Sequence, residues 1–267
     1  MKWWFSNYDG TLRRGSGTKI ESEDLKFIEK FQSQNNKFNI ATGNMLCDMK
    51  SVLPENLNYE FIITNNGNCI WDNNDKIIFS KSIDIEERIK ILEILQNLNE
   101  NLICTFNLLN ERKSFIFKPS LEVSSKMSRS KYFNIFLPKI ENESEAIEEF
   151  LTNENINCIS IWGDDEIVKK ILNILKPNLI RTKVMYVKQN LIEIIDVNTS
   201  KKTAIEYLQT IYNFDNDQII TSGDGGNDIE MLKMTKNSFA MLDGSNVAKI
   251  AANHIISRVH EIDRYMK

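Results

Sequence analysis

The sequence predicts an α/β fold: a doubly wound parallel sheet of Rossmann type, interrupted by an inserted α+β domain. Two observations carry this prediction. Short apolar runs alternate with longer amphipathic segments at both ends of the chain, the pattern of strand–helix–strand units around a parallel sheet, and the middle breaks that alternation. At the front, Trp3 to Ser6 reads as a strand, Glu23 to Gln34 as a helix, Lys37 to Ala41 as a second strand and Glu60 to Thr64 as a third. Asn65, Asn66 and Gly67 then punctuate the chain, and the runs Asn68 to Trp71 and Ile77 to Ser80 suggest a hairpin around Asn73 and Asn74. The middle reads as helix Glu86 to Leu98, strand Ser114 to Lys118, helix Ser144 to Leu151, strand Cys158 to Trp162, helix Glu166 to Leu175, and strands near Arg181 to Val187 and Leu191 to Ile195. Helix Thr203 to Tyr212, strand Gln218 to Ser222, helix Asp228 to Met234 and strand Ser238 to Met241 restore the opening pattern. The expected division is therefore a core domain of 1–80 and 196–267 with 81–195 inserted.

Composition narrows the class. A chain of 267 residues that is 42% hydrophobic can bury a core and a smaller companion. Its net charge of -4, with both signs interspersed, lacks the basic stripe a nucleic acid would require. The run Trp3, Trp4, Phe5 is too short for a secretory or membrane segment, so the expectation is a cytoplasmic protein with no membrane partner. Cys47, Cys69, Cys104 and Cys158 form no CxxC pair and read as buried, unpaired thiols. His254 and His260, in a helical or loop tail, are the only histidines, so any metal must be held by oxygen. Oligomeric state is left open.

Four segments carry chemistry. Gly223-Asp224-Gly225-Gly226-Asn227-Asp228 follows the apolar strand at Ile219 and Ile220 and opens a helix, placing two carboxylates and an amide within one turn at the carboxyl edge of the sheet. Asn7-Tyr8-Asp9-Gly10-Thr11 follows the first strand. An Asp-Gly pair alone is equally a hairpin turn, but the residues beyond it are polar and then helical. Ala41-Thr42-Gly43 ends the second strand with a hydroxyl and backbone amides suited to a phosphate oxygen, although Thr42 also reads as a helix cap. Ser200-Lys201-Lys202-Thr203 sets a lysine at a helix start, where surface exposure is the ordinary expectation.

In this order the four segments resemble the motif set of the haloacid dehalogenase-like superfamily, with an insertion similar to the large cap of its Cof-type branch. Thr64-Asn65-Asn66-Gly67-Asn68 resembles the turn preceding that cap, and Ile205 and Met231-Leu232 keep the usual apolar spacing. The resemblance implies a phosphatase for sugar phosphates and related small metabolites, with Mg²⁺ as cofactor. It places the nucleophile at Asn7, the general acid and base at Asp9, and phosphate contacts at Thr42 and Lys201, Lys202 being the alternative lysine. Gly43, Asn66 and Asn227 join the substrate-binding set, and Asn7, Asp9, Asp224 and Asp228 the metal-binding set.

Two residues depart from the pattern. Asn7 stands where the family carries an aspartate, and an amide oxygen is a poor nucleophile and a weaker metal ligand than a carboxylate. Asn44 stands where the branch commonly carries arginine. Three readings follow from Asn7: a phosphatase whose nucleophile has been exchanged, a pseudophosphatase that binds a phosphometabolite or regulates a partner, or slow turnover through Asp9 or deamidation. A phosphomutase is a further alternative, whereas the GxGxxG spacing of dinucleotide-binding proteins is absent. Substrate identity is expected to lie in the insertion, where Phe115, Phe117, Lys118, Arg129, Lys131, Trp162 and Arg181 are candidates to face the site, although the aromatics also read as core and the charges as solvated surface; the resemblance implies hinges near Lys81 and Asp196.

Overall fold

A computed structural model describes residues 1–15, 19–98, 100–117, 139–140 and 143–266. The described chain divides into two compact units, Met1–Phe79 with Thr199–Lys267, and Ser80–Asn198. The first segment carries β1 (Trp3–Ser6), α1 (Ser22–Ser33), β2 (Lys37–Ala41), α2 (Leu46–Val52), β3 (Phe61–Thr64), β4 (Cys69–Asp72) and β5 (Ile77–Ser80). Next come α3 (Ile85–Leu98), β6 (Leu102–Asn107), β7 (Arg112–Phe117), β8 (Lys139–Ile140), α4 (Glu143–Thr152), β9 (Cys158–Trp162), α5 (Asp165–Asn178), β10 (Thr182–Lys188) and β11 (Leu191–Asp196). The last segment holds α6 (Lys201–Tyr212), β12 (Ile219–Gly223), α7 (Ile229–Lys233), β13 (Ser238–Met241), α8 (Asn246–Ala251) and β14 (His254–Ile256).

In the first unit, eight strands run in the order β14-β13-β12-β1-β2-β3-β4-β5. The pairs from β14 to β3 are parallel, and β4 reverses against β3 to begin the hairpin with β5. This is the doubly wound sheet expected, with an antiparallel edge added. Strand β1 is central, and all four of its residues are buried, as a strand covered on both faces requires. Because successive side chains point to opposite faces, its two tryptophans serve two cores. Trp3 stacks on Phe214 with ring centroids 4.3 Å apart and on Phe61 at 6.2 Å, whereas Trp4 sits among Phe27, Phe31 and Phe38 at 5.4, 5.7 and 4.8 Å.

Strand β14 corrects the expected helical or loop tail at His254. His254 pairs with Phe239 of β13 in a parallel ladder, and β14, only three residues long, is too short for periodicity to register. The expectation of four buried thiols also needs correction, because Cys47 is exposed; Cys69, Cys104 and Cys158 are buried, and burial pushes the Cys69 thiol up to about 12.

The second unit is a six-stranded sheet in the order β10-β11-β9-β6-β7-β8, antiparallel except for the β7–β8 pair. Phe115 and Phe117 lie in its hydrophobic core, where Phe115 meets Phe150 edge-on at 5.6 Å, so of the two readings the sequence offers for these aromatics, packing is the one observed. Arg181 is ion-paired with Asp84 at 2.8 Å and Glu86 at 3.0 Å. Lys118, Arg129 and Lys131 lie outside the described residues. Among the described residues no helix is long and apolar enough to cross a membrane.

Candidate active site

Parallel pairing brings the functional segments of the first unit together. Ser6 is in register with Ser222 on one side and Ile40 on the other, so the chain leaves β1, β2 and β12 at one edge. The Asn7 N–H donates to the Ser222 carbonyl at 2.8 Å, which extends the ladder one residue beyond the strand. Beneath it, Trp4 Nε1 donates to Ser222 Oγ (3.0 Å), Ser222 Oγ to Ser6 Oγ (2.8 Å) and Ser6 Oγ to the Asn7 carbonyl (3.0 Å). The backbone at Asn7 is thus anchored by a buried, satisfied polar chain.

Two tight turns then shape the site. At Gly10, φ is +77°, and a Cβ there would lie 2.2 Å from a carboxylate oxygen of Asp224. Glycine is therefore required twice over, by its left-handed backbone and by the approach of that carboxylate. The turn folds the Asp9-Gly10 segment back, Gly10 N–H donating to the Arg13 carbonyl at 2.8 Å and Arg13 N–H to the Tyr8 carbonyl at 2.9 Å. In the second turn, Asp228 Oδ2 accepts from the backbone N–H groups of Asp224 and Gly225, each at 2.9 Å.

Asn7 lies at the centre of the cluster. Its Nδ2 donates to the Asp9 carbonyl at 2.8 Å and to Asp224 Oδ1 at 2.7 Å, while its Oδ1 accepts from Lys201 Nζ at 3.0 Å. Lys201 also donates to Asp228 Oδ1 at 2.6 Å, and neither side chain of that pair has any solvent exposure. Lys202, one position further round the helix, is half-buried and pairs with Glu206 at 3.2 Å; of the two lysines, Lys201 is the one in the cluster. Ser200 caps α6, accepting from the Thr203 N–H at 3.2 Å, which sets Lys201 at the first helical position facing inward.

Asp224 Oδ1 also accepts from Thr11 Oγ1 at 2.7 Å. Burial, followed by the neighbouring Asp228 charge, raises the Asp224 carboxyl above its ordinary value, and the Thr11 and Asn7 hydrogen bonds oppose the rise. Asp9 is held on both oxygens, Oδ1 accepting from Arg13 Nε at 2.8 Å within an ion pair and Oδ2 from Asn44 Nδ2 at 2.7 Å. Thr42 is not the cap of α2, which begins at Leu46; its Oγ1 accepts the Asn44 N–H at 3.1 Å. Asn227 Nδ2 donates to Asn66 Oδ1 at 2.9 Å, and Gly43 allows the Asn66 amide to approach closely. Asn65 and Asn66 adopt positive φ of 49° and 56°, the left-handed turn that asparagine tolerates best after glycine.

As these side chains stand, the donor set does not fit a divalent cation. The lone pairs that would be offered to it, on the Asp9 carbonyl and Asp224 Oδ1, both receive hydrogen bonds from the Asn7 amide, and the Asn7 oxygen faces Lys201. Asp228 has one oxygen on Lys201 and the other on two backbone amides. Among the described residues no group of three His, Cys, Asp or Glu side chains could hold a metal ion.

Three contacts are not legible from sequence: Arg13 on Asp9, Thr11 on Asp224, and Asn44 on Asp9. Opposite charges at 9 and 13, flanking a glycine turn, are the one available signal for the first.

A sheet edge carrying these four segments defines a class, and comparison agrees: residues 4–263 match the haloacid dehalogenase-like hydrolase model, so the chain belongs to that family. Phosphatases of the family generally use Mg²⁺. An uncharacterized protein of Mycoplasma capricolum subsp. capricolum is 29% identical, the match covering 98% of each chain. The 5-amino-6-(5-phospho-D-ribitylamino)uracil phosphatase of Escherichia coli is 21% identical over 92% of this chain and 87% of its own. Among solved structures, a phosphatase of the superfamily from Bacteroides thetaiotaomicron superposes with a TM-score of 0.83 at 20% identity, covering 99% of this chain and 94% of that one. A subclass IIB sugar phosphatase gives 0.77 at 20% identity, covering 99% and 95%. The fold is that of the Cof-type members.

Proposed function

We propose that this chain binds a small phosphorylated metabolite, sugar-phosphate-like in class, at the edge formed by β1, β2 and β12, and that Asn7 impairs hydrolysis. Thr42 Oγ1, the Gly43 N–H and the Lys201 ammonium would receive the phosphoryl oxygens, with Asn66 and Asn227 beside them. The observation that carries this reading is the buried Lys201 ammonium held between Asn7 and Asp228. A desolvated ammonium at the sheet edge that also carries Thr42 and Gly43 offers a charge-assisted donor to a phosphate oxygen, its charge shared with Asp228.

In the family scheme the side chain at position 7 attacks phosphorus and forms an aspartyl phosphate. Here that atom is a neutral amide oxygen, already accepting from Lys201, and has little nucleophilic strength. Asp9 stands two residues on, where a proton would pass to the leaving oxygen. Serving that role requires Arg13 or Asn44 to release one of its oxygens. Removing the negative charge at 7 lessens repulsion of a phosphate dianion, so binding outlasts turnover.

The test compares the chain with Asn7→Asp. Hydrolysis of p-nitrophenyl phosphate with Mg²⁺ should rise by about 10⁴-fold or more in the variant, on the scale of losing a nucleophile in other hydrolases. Calorimetry with a set of sugar phosphates should detect binding by the parent chain. No rate gain together with no binding of any phosphate would overturn the assignment. Binding without rate gain would instead favour the pseudophosphatase reading, in which the site senses a phosphometabolite.

A further inference from the structure

We infer that the Asn7 side-chain amide occupies the place of the divalent cation in this site, bridging the Asp9 carbonyl and the Asp224 carboxylate, so that the chain carries no resident Mg²⁺. The inference takes only its location from the proposed phosphoryl pocket, and its test uses metal without any phosphate, so the two stand or fall separately.

The number of acceptors around residue 7 comes first. A carboxylate offers two oxygens and can serve a lysine with one and a cation with the other, whereas an amide offers one oxygen and two N–H donors. Around residue 7 stand two acceptors on one side, the Asp9 carbonyl and Asp224 Oδ1, and one donor on the other, Lys201 Nζ. The amide meets all three at 2.8, 2.7 and 3.0 Å. Turned over, it would set its oxygen against two oxygens and its NH₂ against a buried ammonium, so the neighbours fix its orientation.

A cation ligated by the Asp9 carbonyl and Asp224 Oδ1 would take the lone pairs that now accept from Nδ2. To add Asn7 as a ligand, the amide would have to turn its oxygen away from Lys201 and leave an unsatisfied donor facing a side chain with no exposure. Asp224 Oδ1 meanwhile accepts from Thr11 as well as Asn7, so both of its lone pairs are in use. What remains is the second oxygen of Asp224 and one lone pair of the Asp9 carbonyl, and so small a ligand set holds Mg²⁺ weakly because the ion keeps its waters.

Charge points the same way. Arg13 and Lys201 face Asp9, Asp224 and Asp228, leaving one formal negative charge; an aspartate at 7 would make it two, the charge of one Mg²⁺. The substitution removes half of the demand for a cation and supplies, in the amide hydrogens, the positive ends that the two oxygens require.

The experiment follows Mn²⁺, the paramagnetic probe for this site, by two readouts. In ¹⁵N-labelled parent chain, the Asn7 side-chain NH₂ resonances should keep their intensity as Mn²⁺ is added. Broadening of those signals at Mn²⁺ levels that leave other surface amides sharp would overturn the inference without any variant. By electron paramagnetic resonance, Asn7→Asp should bind Mn²⁺ at least about 100-fold more tightly than the parent, the scale on which ligand-shell changes act. Equal affinity of the two proteins would likewise overturn it. If Asn7→Asp fails to fold without metal and folds with it, that outcome supports the inference, because the amide then does the cation's structural work in the parent.

Discussion

Lys201 and Asp228 form an ion pair 2.6 Å long in which neither side chain reaches solvent. Such a pair contributes little when complete but costs heavily when one partner is removed, because the other charge is stranded. Lys201→Met should therefore lower the unfolding free energy by about 3–5 kcal/mol, measured by urea titration. Lys201→Met combined with Asp228→Asn should be less destabilised than the single variant. A single-variant loss below about 1 kcal/mol would show that Asp228 finds other support.

Gly10 offers a comparison internal to the chain. Gly10 and Gly15 have similar left-handed φ of +77° and +61°, but only at Gly10 would a Cβ meet the Asp224 carboxylate. Gly15→Ala should cost about 1–2 kcal/mol for the backbone alone. Gly10→Ala should cost clearly more, and thermal melts of the pair separate the clash from the conformational penalty. Equal losses would mean that Asp224 moves aside freely.

The raised Asp224 carboxyl gives stability a sign with pH. A carboxyl raised on folding keeps more protons in the folded than in the unfolded chain, so its contribution is fully present below the ordinary 3.8 and is lost as pH climbs through the folded value. The stability of Asp224→Asn minus that of the parent should accordingly grow as pH rises from 3.8 towards neutrality. Urea midpoints at acid and neutral pH test this, and a difference that shrinks would reverse the assigned direction.

Arg13 holds Asp9 without standing at the phosphoryl contacts, which makes it a positioning residue in the proposed reading. In the Asn7→Asp background, Arg13→Gln should lower kcat by about 10- to 100-fold, the scale of a misplaced catalytic group, with KM changing far less. Arg13→Lys should restore part of the loss. A rise confined to KM would assign Arg13 to substrate binding instead.

Much of the fold is legible in the sequence because parallel strands buried on both faces leave continuous apolar runs. Trp3 to Ser6 and Lys37 to Ala41 match the observed strands residue for residue. Strand β6, Leu-Ile-Cys-Thr-Phe-Asn, is equally apolar but comes directly after a long helix, with no turn signal strong enough to separate it. Helix α2 escapes notice because its seven residues span barely two turns. Spacing along the chain exposes the site's four segments, but hydrogen-bond partners are set by register and turn geometry. Lys201 and Lys202 are indistinguishable as letters; the rotation of one residue about α6 sends one to Asp228 and the other to Glu206. The two roles of an amide at position 7, donor to Asp224 and acceptor from Lys201, likewise emerge only once β1, β12 and α6 are assembled.

Strand β1 lies between β2 and β12, whose partners for Trp3 are Lys37 and Ile219. During synthesis the tryptophan therefore waits for a neighbour made more than two hundred residues later, while the inserted unit draws its hydrophobic core from Ile83 to Ile194 alone. A ribosome would release a folded insertion before its host sheet could close, and protease pulses on stalled chains should find protection there first. Phe61 reaches Trp3 early, but Phe214, which stacks on it at 4.3 Å, and the strand partner Ile219 come only near the end, so one edge of the first strand stays unpaired and open to aggregation until late in translation.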